Sequence, residues 1–398
     1  MPKLLQINST ANWGSTGKIA EQIGECAIAH GWESYIAYGR YSNHSNSTLI
    51  RIGSRISLAW HLIISRLFDK HGLGSSCATK KLIRKIKDIK PDVIHLHNIH
   101  GYYINFKILF KYLSSTNIPV VWTLHDCWSF TGHCAHFVEA NCNKWREECN
   151  NCVLKNKYPK TYFSSAKTNY ELKRQLFNSA NLTLVPVSEW LSNFVEQSFL
   201  KDKAKRVIHN GININTFKPL NTATNDSINI LGVSSVWNES KGLYDFYKLR
   251  NILDPNRFNI TLVGLTKQQI DELPKGIVGI ERTNSIEELV QIYNDADIFV
   301  NPTYADTFPT TNLEALACGT PVITYRTGGS PESITPETGI VVEQGNISAI
   351  VQAIKEISSK GKKLYTAACR KHAEENFDKE RCFAKYINLY NELLNNTK

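Results

Sequence analysis

The chain has no apolar run near the roughly 18 to 20 residues that a bilayer-spanning helix needs. Its start, Met1-Pro2-Lys3-Leu4-Leu5-Gln6-Ile7, reads as a short strand and lacks the long apolar core and cleavage site of a signal peptide. The expectation is a cytoplasmic protein, with contact at a membrane surface left open. No internal repeat is found, and no low-complexity tract apart from a polar Asn/Thr-rich stretch at 210–226, which excludes solenoids and fibrous arrays. Acidic residues are scarce in the first half. Residues 1–214 hold 27 Lys+Arg against 14 Asp+Glu, a net +13, whereas the remainder holds 19 against 22, a net −3. A basic first half suits a polyanionic partner, nucleic acid or anionic lipid, or a merely solvated surface.

What is present describes a globular protein of about two domains: 398 residues, 42% hydrophobic and 21% charged. Strand and helix patterns alternate throughout, the sign of parallel α/β sheets. Strands are predicted at 3–8, 34–39, 92–97, 120–125, 183–187 and 206–209, then at 228–233, 259–263, 276–280, 298–301, 321–325 and 339–342. A helix is predicted over about 18–30. Between the two sets, 210–226 reads as a hinge. Four of the ten cysteines, Cys134, Cys142, Cys149 and Cys152, give C-x7-C-x6-C-x2-C, with His133 and His136 as spare ligands. Only the last gap has zinc-knuckle spacing. The cluster reads as a structural zinc or as free or redox-labile thiols.

The densest motif is Asp306 to Pro321, DTFPTTNLEALACGTP. Ile298-Phe299-Val300 upstream reads as a strand, and Leu313, Leu316 and Ala317 follow at helical spacing. Phe308, Pro309, Thr310, Thr311 and Asn312 therefore lie where a helix begins. A helix start offers unpaired amides and partial positive charge, a ready seat for a diphosphate. Asp306 and Glu314, eight residues apart, are hydroxyl acceptors on either side of that seat. An anion cradle flanked by hydroxyl acceptors describes a pocket for a sugar nucleotide.

This segment resembles the E-x7-E signature of retaining glycosyltransferases of family 4, with Asp306 first and Glu314 second. Thr327-Gly328-Gly329-Ser330-Pro331-Glu332 is similar to that family's Gly-Gly-x-Pro-Glu turn, and Val207 to Asn213 to its Asn-Gly-Val-Asp junction. The resemblance implies GT-B architecture: two Rossmann-like parallel-sheet domains facing a cleft, at 1–214 (acceptor side) and 215–376 (donor side), with a helix at 377–398 crossing back to the first. Residues of about 127–158 look like an insertion seen in capsule- and surface-polysaccharide transferases. Asp306 is implied to hold the donor sugar, Glu314 the ribose, Lys241 the diphosphate and His125 the transferred sugar. Gly14, Thr16 and Gly17 resemble the family's glycine loop, and Gly264 follows a strand on the donor side.

The sequence departs from the family at two points. Asp306 is one methylene shorter than Glu. Val236 stands where an arginine usually precedes Lys241; Arg326, Arg282 and Lys18 are the candidate substitutes. Gly14 to Lys18 is not a Walker loop, because Asn12 and Ile19 replace its Gly and Ser/Thr. Asp295-Ala296-Asp297 reads as structural, so no catalytic cofactor or metal is expected and the leaving-group charge falls on Lys241 and amides.

Residues 55–70 place Ile56, Trp60, Ile63, Ile64 and Leu67 on one helical face beside Arg55, Arg66 and Lys70, with Lys80, Lys81, Arg84, Lys85, Lys87 and Lys90 beyond. This pattern fits either a core-packed helix or one lying on an anionic membrane. The expected partners are a nucleotide-diphosphate sugar, a lipid-linked glycan acceptor and a membrane surface, and no nucleic acid. The alternatives are other sugar-nucleotide work, epimerase or phosphorylase-like, and a zinc-knuckle nucleic-acid-binding protein.

Overall fold

The computed structural model describes residues 1–221 and 227–396; part of the expected 210–226 hinge lies outside them. The chain divides into two compact units, Met1–His209 with Phe383–Lys398, and Asn210–Cys382. The first division falls at 209 rather than 214 for a local reason. Ile212 N–H donates to the Phe377 carbonyl at 2.7 Å and Lys379 N–H to the Ile212 carbonyl at 2.9 Å. Gly211 lies so close to Lys379 that a Cβ there would stand 2.6 Å from its Cα. Residues 210–214 and 377–382 therefore belong to the second unit.

The first unit runs β1 (Lys3–Asn8), α1 (Gly14–Ala29), β2 (Glu33–Tyr38), β3 (Thr48–Arg51), α2 (Arg55–Phe68), α3 (Ser76–Ile89), β4 (Val93–Leu96), α4 (Phe106–Leu113), β5 (Val120–Leu124), α5 (Ala166–Ser179), β6 (Leu182–Pro186), α6 (Glu189–Glu196) and β7 (Ala204–Lys205). Its seven strands are all parallel, in the order β3-β2-β1-β4-β5-β6-β7. β4 and β5 are buried along their whole length, which explains their continuous apolar runs. The predicted strand at 206–209 is instead the two-residue β7, and β3, a half-exposed edge strand, had no strong pattern to announce it.

The second unit runs β8 (Ile228–Val233), α7 (Leu243–Ile252), β9 (Phe258–Val263), α8 (Lys267–Asp271), β10 (Ile277–Ile280), α9 (Ile286–Asp295), β11 (Ile298–Asn301), α10 (Thr310–Ala317), β12 (Val322–Tyr325), β13 (Gly339–Val342), α11 (Ile347–Lys360) and α12 (Lys362–Asn376). Its six parallel strands are ordered β10-β9-β8-β11-β12-β13. A final helix, α13 (Lys379–Asn395), begins in the second unit and continues into the first. There Tyr390 and Tyr386 are buried, joined to His95 and Thr123 at 2.7 and 3.0 Å.

Each sheet reverses its strand order once, between β1 and β4 and between β8 and β11. Loops leaving the carboxyl ends of such a strand pair diverge and open a crevice, the usual ligand seat of an open α/β sheet.

Candidate functional site

In the second unit the loops after β8 and β11 lie side by side. Tyr304 N–H donates to the Ser240 carbonyl at 2.8 Å. Gly242, at φ +74°, lets the loop pass so close to Pro302 that a Cβ would meet its carbonyl oxygen at 2.2 Å. This contact brings Lys241 Nζ to 2.6 Å from Asp306 Oδ2 and 3.4 Å from the Ala305 carbonyl. The pair is only partly covered, its side chains 30% and 20% exposed. Asp306 is held from behind. Gly328, at φ +60°, sits where any Cβ would stand 1.6 Å from the Asp306 carbonyl oxygen. The conspicuous Gly-Gly turn is therefore the backing plate of the first acid.

Helix α10 starts four residues after Asp306. Pro309 occupies its N-cap and offers no side-chain cap, and Thr310 and Thr311 are half-buried in the first turn. Unpaired amides and the positive end of the helix dipole thus point out at this end. The helix is pinned by Asn312, fully buried, which accepts from Asn301 at 2.8 Å and donates to the Ser330 and Ser333 hydroxyls, each at 3.0 Å. Phe308 is buried, and its carbonyl accepts from Asn210 at 3.1 Å. Glu314, one turn on, accepts the Tyr293 hydroxyl at 2.7 Å. Burial first, and the Glu314 charge second, push the Tyr293 phenol well above its usual range, so it stays a donor. Gly264, at φ +98°, packs on the end of β8, where a Cβ would meet the Ser234 carbonyl oxygen at 1.7 Å.

Of the candidate substitutes for the missing arginine, Arg326 pairs with Glu343 at 2.7 Å on the surface and Arg282 is exposed after β10. Lys18 lies in the first unit. Val236 itself is 63% exposed. Asp297 accepts the Asn229 amide at 2.8 Å at the amino end of β8, the opposite end of the sheet from Asp306.

The first unit gathers its own set at the ends of β1, β4 and β5. The Gly14-to-Gly17 loop opens α1, with Gly14 at φ +65°. A Cβ on Gly17 would stand 2.6 Å from the Thr10 hydroxyl. Asn8 Nδ2 approaches Thr16 Oγ1 at 3.5 Å, and Asn8 Oδ1 accepts the Asn98 amide at 3.3 Å, tying this loop to the end of β4.

A line of side chains that no local motif announces sets the proton positions on His125. Gln6 Nε2 donates to the Ala20 carbonyl at 2.8 Å, so its Oε1 faces His97 Nε2 at 2.9 Å and accepts from it. Neutral His97 then carries its lone pair on Nδ1, which lies 3.1 Å from His125 Nε2. His125 accordingly carries its proton on Nε2 and its lone pair on Nδ1. Burial is the main cause that lowers His125 to about 4 and His97 well below the usual histidine value, so both rings are neutral near pH 7. Burial works against the neighbouring Asp126 carboxylate, but His100 at 2.8 Å, together with His136 and the Trp128 amide, outweighs it and brings Asp126 to about 2. The sequence signal for this line was the pair of strand-end histidines; the Gln6 partner lies 91 residues from His97 and left none.

Cys134, Cys142, Cys149 and Cys152 line one small cavity of the first unit together with His133, while His136 is exposed. All four are free thiols, and as they stand no three or more His, Cys, Asp or Glu among the described residues form a group able to hold a metal ion.

Two all-parallel Rossmann-like units with these loops at their strand ends define the GT-B class of glycosyltransferases. Sucrose-phosphate synthase from Thermosynechococcus elongatus superposes with a TM-score of 0.74 at 17% identity, covering 99% of each chain. HepE of Anabaena, solved with UDP, superposes at 0.66 and 16% identity over 98% of this chain and 100% of that one. Residues 18–216 match the family model for Glycosyltransferase Family 4, and 227–360 that for Glycosyl transferases group 1. The chain belongs to glycosyltransferase family 4. Among curated relatives, WcaC of Escherichia coli K12, provisionally assigned as a colanic acid biosynthesis glycosyl transferase, is 23% identical over 98% of this chain and 100% of its own. The capsular polysaccharide biosynthesis glycosyltransferase CapM of Staphylococcus aureus is 25% identical over 39% of this chain and 44% of its own.

Proposed function

We propose that the protein is a retaining, metal-independent transferase that moves a sugar from a nucleotide-diphosphate sugar to a lipid-linked glycan in cell-surface polysaccharide biosynthesis. The observation that carries this reading is the Lys241–Asp306 contact of 2.6 Å beside the uncapped start of α10. The α10 amides and Lys241 take the diphosphate, whose charge grows as the anomeric C–O bond breaks. Asp306 orients the sugar hydroxyls, and Glu314, steadied by Tyr293, takes the ribose. The acceptor oxygen bonds to the anomeric carbon on the face the diphosphate leaves, and its proton passes to a phosphate oxygen. His125, at the end of β5, is assigned to the transferred sugar. The names of WcaC and CapM support surface polysaccharide as the product class, and HepE, solved with UDP and with UDP-glucose, supports uridine donors as the first to test.

The lipid-linked acceptor and membrane contact rest on α2. This helix turns its polar residues His61 and Ser65 inward and leaves Ile56, Trp60, Ile63, Leu67 and Phe68 at 82, 62, 48, 38 and 50% exposure. Exposed Arg55 and Lys70 flank it, and exposed Lys80, Lys81, Arg84 and Lys85 follow on α3. Apolar side chains beside a basic field suit the surface of an anionic bilayer. No helix among the described residues is long and apolar enough to cross a membrane.

The test is a panel of nucleotide sugars scored by thermal stabilisation. A donor at 100 times its dissociation constant adds about 2.7 kcal/mol. Transfer to a lipid-linked acceptor is then followed with and without EDTA, with NMR of the new anomeric centre. An inverted product, or loss of turnover in EDTA restored by magnesium, refutes the mechanism. Co-sedimentation with anionic and neutral vesicles tests the surface; equal binding by wild type and Trp60→Glu refutes that part.

A further inference from the structure

The region between β5 and α5 holds a cluster that the transfer chemistry does not use. Cys134, Cys142, Cys149 and Cys152 line one cavity of about 20 Å³, room for a single water-sized particle. His133 and Trp145 also line it. Both are almost fully buried, and His133 Nε2 and Trp145 Nε1 have no hydrogen-bond partner. Unpaired buried nitrogens are rare in folded proteins and call for an explanation. His133 is fixed from its other side, where Nδ1 meets Asp69 Oδ1 at 2.5 Å. A carboxylate behind a histidine whose second nitrogen faces a set of sulfurs is the outer shell familiar from metal sites. Lys173 lies within electrostatic reach of Cys149 and Cys134. It is fully buried, with Nζ held by the Trp128 and Thr131 carbonyls at 2.7 and 2.9 Å. Its ammonium is a counter-charge for thiolates.

We propose that Cys134, Cys142, Cys149 and Cys152 bind one structural zinc ion as thiolates, with His133 and Trp145 completing the outer shell and Lys173 offsetting the negative charge. Each thiol gives up its proton to solvent and forms one Zn–S bond. The sulfurs surround the cavity without sharing a single centre. They sit in turns and irregular chain, with Cys142, Cys149 and Cys152 only half-buried, and an ion would have to draw them onto one centre. Soft thiolate ligands and the Cys149-x2-Cys152 gap favour zinc over magnesium or calcium. The ion fastens 127–158, which has only three short 3-10 turns of its own.

The experiment uses untagged full-length protein purified without chelator, zinc content by plasma mass spectrometry, and cysteine alkylation of the native protein. About one zinc per chain is expected. Cys142→Ser and Cys149→Ser should each lower zinc content at least roughly tenfold. Cys77→Ser, which removes an exposed thiol on α3, should leave it unchanged. Because a ligand variant can misfold, the wild-type protein supplies a second readout: four cysteines resist alkylation until a chelator is added. Zinc below about a tenth of an equivalent with those cysteines freely alkylated overturns the proposal. So does protection that only a reductant removes, the mark of a disulfide.

Discussion

Replacing Lys241 by Ala separates what holds the protein together from what works on a donor. In the structure the ammonium contacts Asp306 at 2.6 Å and, more distantly, the Ala305 carbonyl at 3.4 Å, with the Lys241 and Asp306 side chains 30% and 20% exposed. Partly solvated pairs contribute roughly 0 to 1 kcal/mol. The variant should therefore melt within a few degrees of wild type, since about 1 kcal/mol shifts a domain of roughly this size by about 2 to 4 °C. The catalytic loss should be far larger. Removing a preorganised positive group from developing phosphate charge costs about 3 to 4 kcal/mol, or roughly 10² to 10³ in kcat/KM. The missing arginine sharpens the expectation, because Val236 stands in its place, Arg326 is paired with Glu343 and Arg282 is exposed after β10. Initial rates of donor consumption and a calorimetric scan of the same preparation provide both numbers. A variant that keeps kcat/KM within about threefold refutes the assignment of Lys241 to the diphosphate. A collapse in melting temperature would instead make the residue structural.

Three further outcomes follow from the geometry. Val236→Arg restores the usual cation on an exposed loop and should lower the donor KM severalfold with little change in stability; an unchanged or higher KM shows that this loop does not face the phosphates. Gln6→Met removes the acceptor that fixes the His97 and His125 tautomers, and should lower kcat roughly tenfold while the donor KM holds; equal kcat with an unchanged pH profile shows that the tautomer line is idle. Stability should decline as pH falls from about 6.5 to about 4. His61 is lowered to about 4 by burial, and its Nε2 accepts the Gly72 and Gly74 amides at 3.2 and 3.1 Å. The unfolded chain takes up the proton near its ordinary value and the folded chain does not. The stabilisation is therefore complete above about 6.5 and gone below about 4, a loss of about 3 kcal/mol from His61 alone. Urea titrations give the curve, and His61→Gln should flatten part of it; a flat wild-type curve over that range refutes the account.

Much of the architecture was legible because buried parallel strands write themselves as unbroken apolar runs. Lys3 to Asn8, Ile228 to Val233, Ile298 to Asn301 and Gly339 to Val342 begin and end where the sequence pattern puts them. The edge strands were not legible: Thr48 to Arg51 alternates weakly at the surface, and Ala204–Lys205 is too short to carry any period. The acids and glycine turns of the candidate site could be read because their spacing is local. Its supports could not, because Tyr293 reaches Glu314 and Gln6 reaches His97 only through tertiary folding. Periodicity also gave α2 an apolar face without saying which way it turns, and the inward direction belongs to His61, whose partners lie 11 to 14 residues downstream.

The last helix carries a consequence for biosynthesis. His95 Nδ1 meets the Tyr390 hydroxyl at 2.7 Å, and Thr123 meets Tyr386 at 3.0 Å, both at the heart of the first sheet. On the ribosome those two strand residues are made 295 and 263 positions before their partners. The leading unit must wait half-finished, with His95 Nδ1 of its central strand unmet although His95 Nε2 already meets Thr123, while the whole trailing unit is translated. A nascent chain stalled before residue 383 should thus bind chaperones more strongly than the released full-length chain, and the terminal tyrosines act as the latch that ends that dependence.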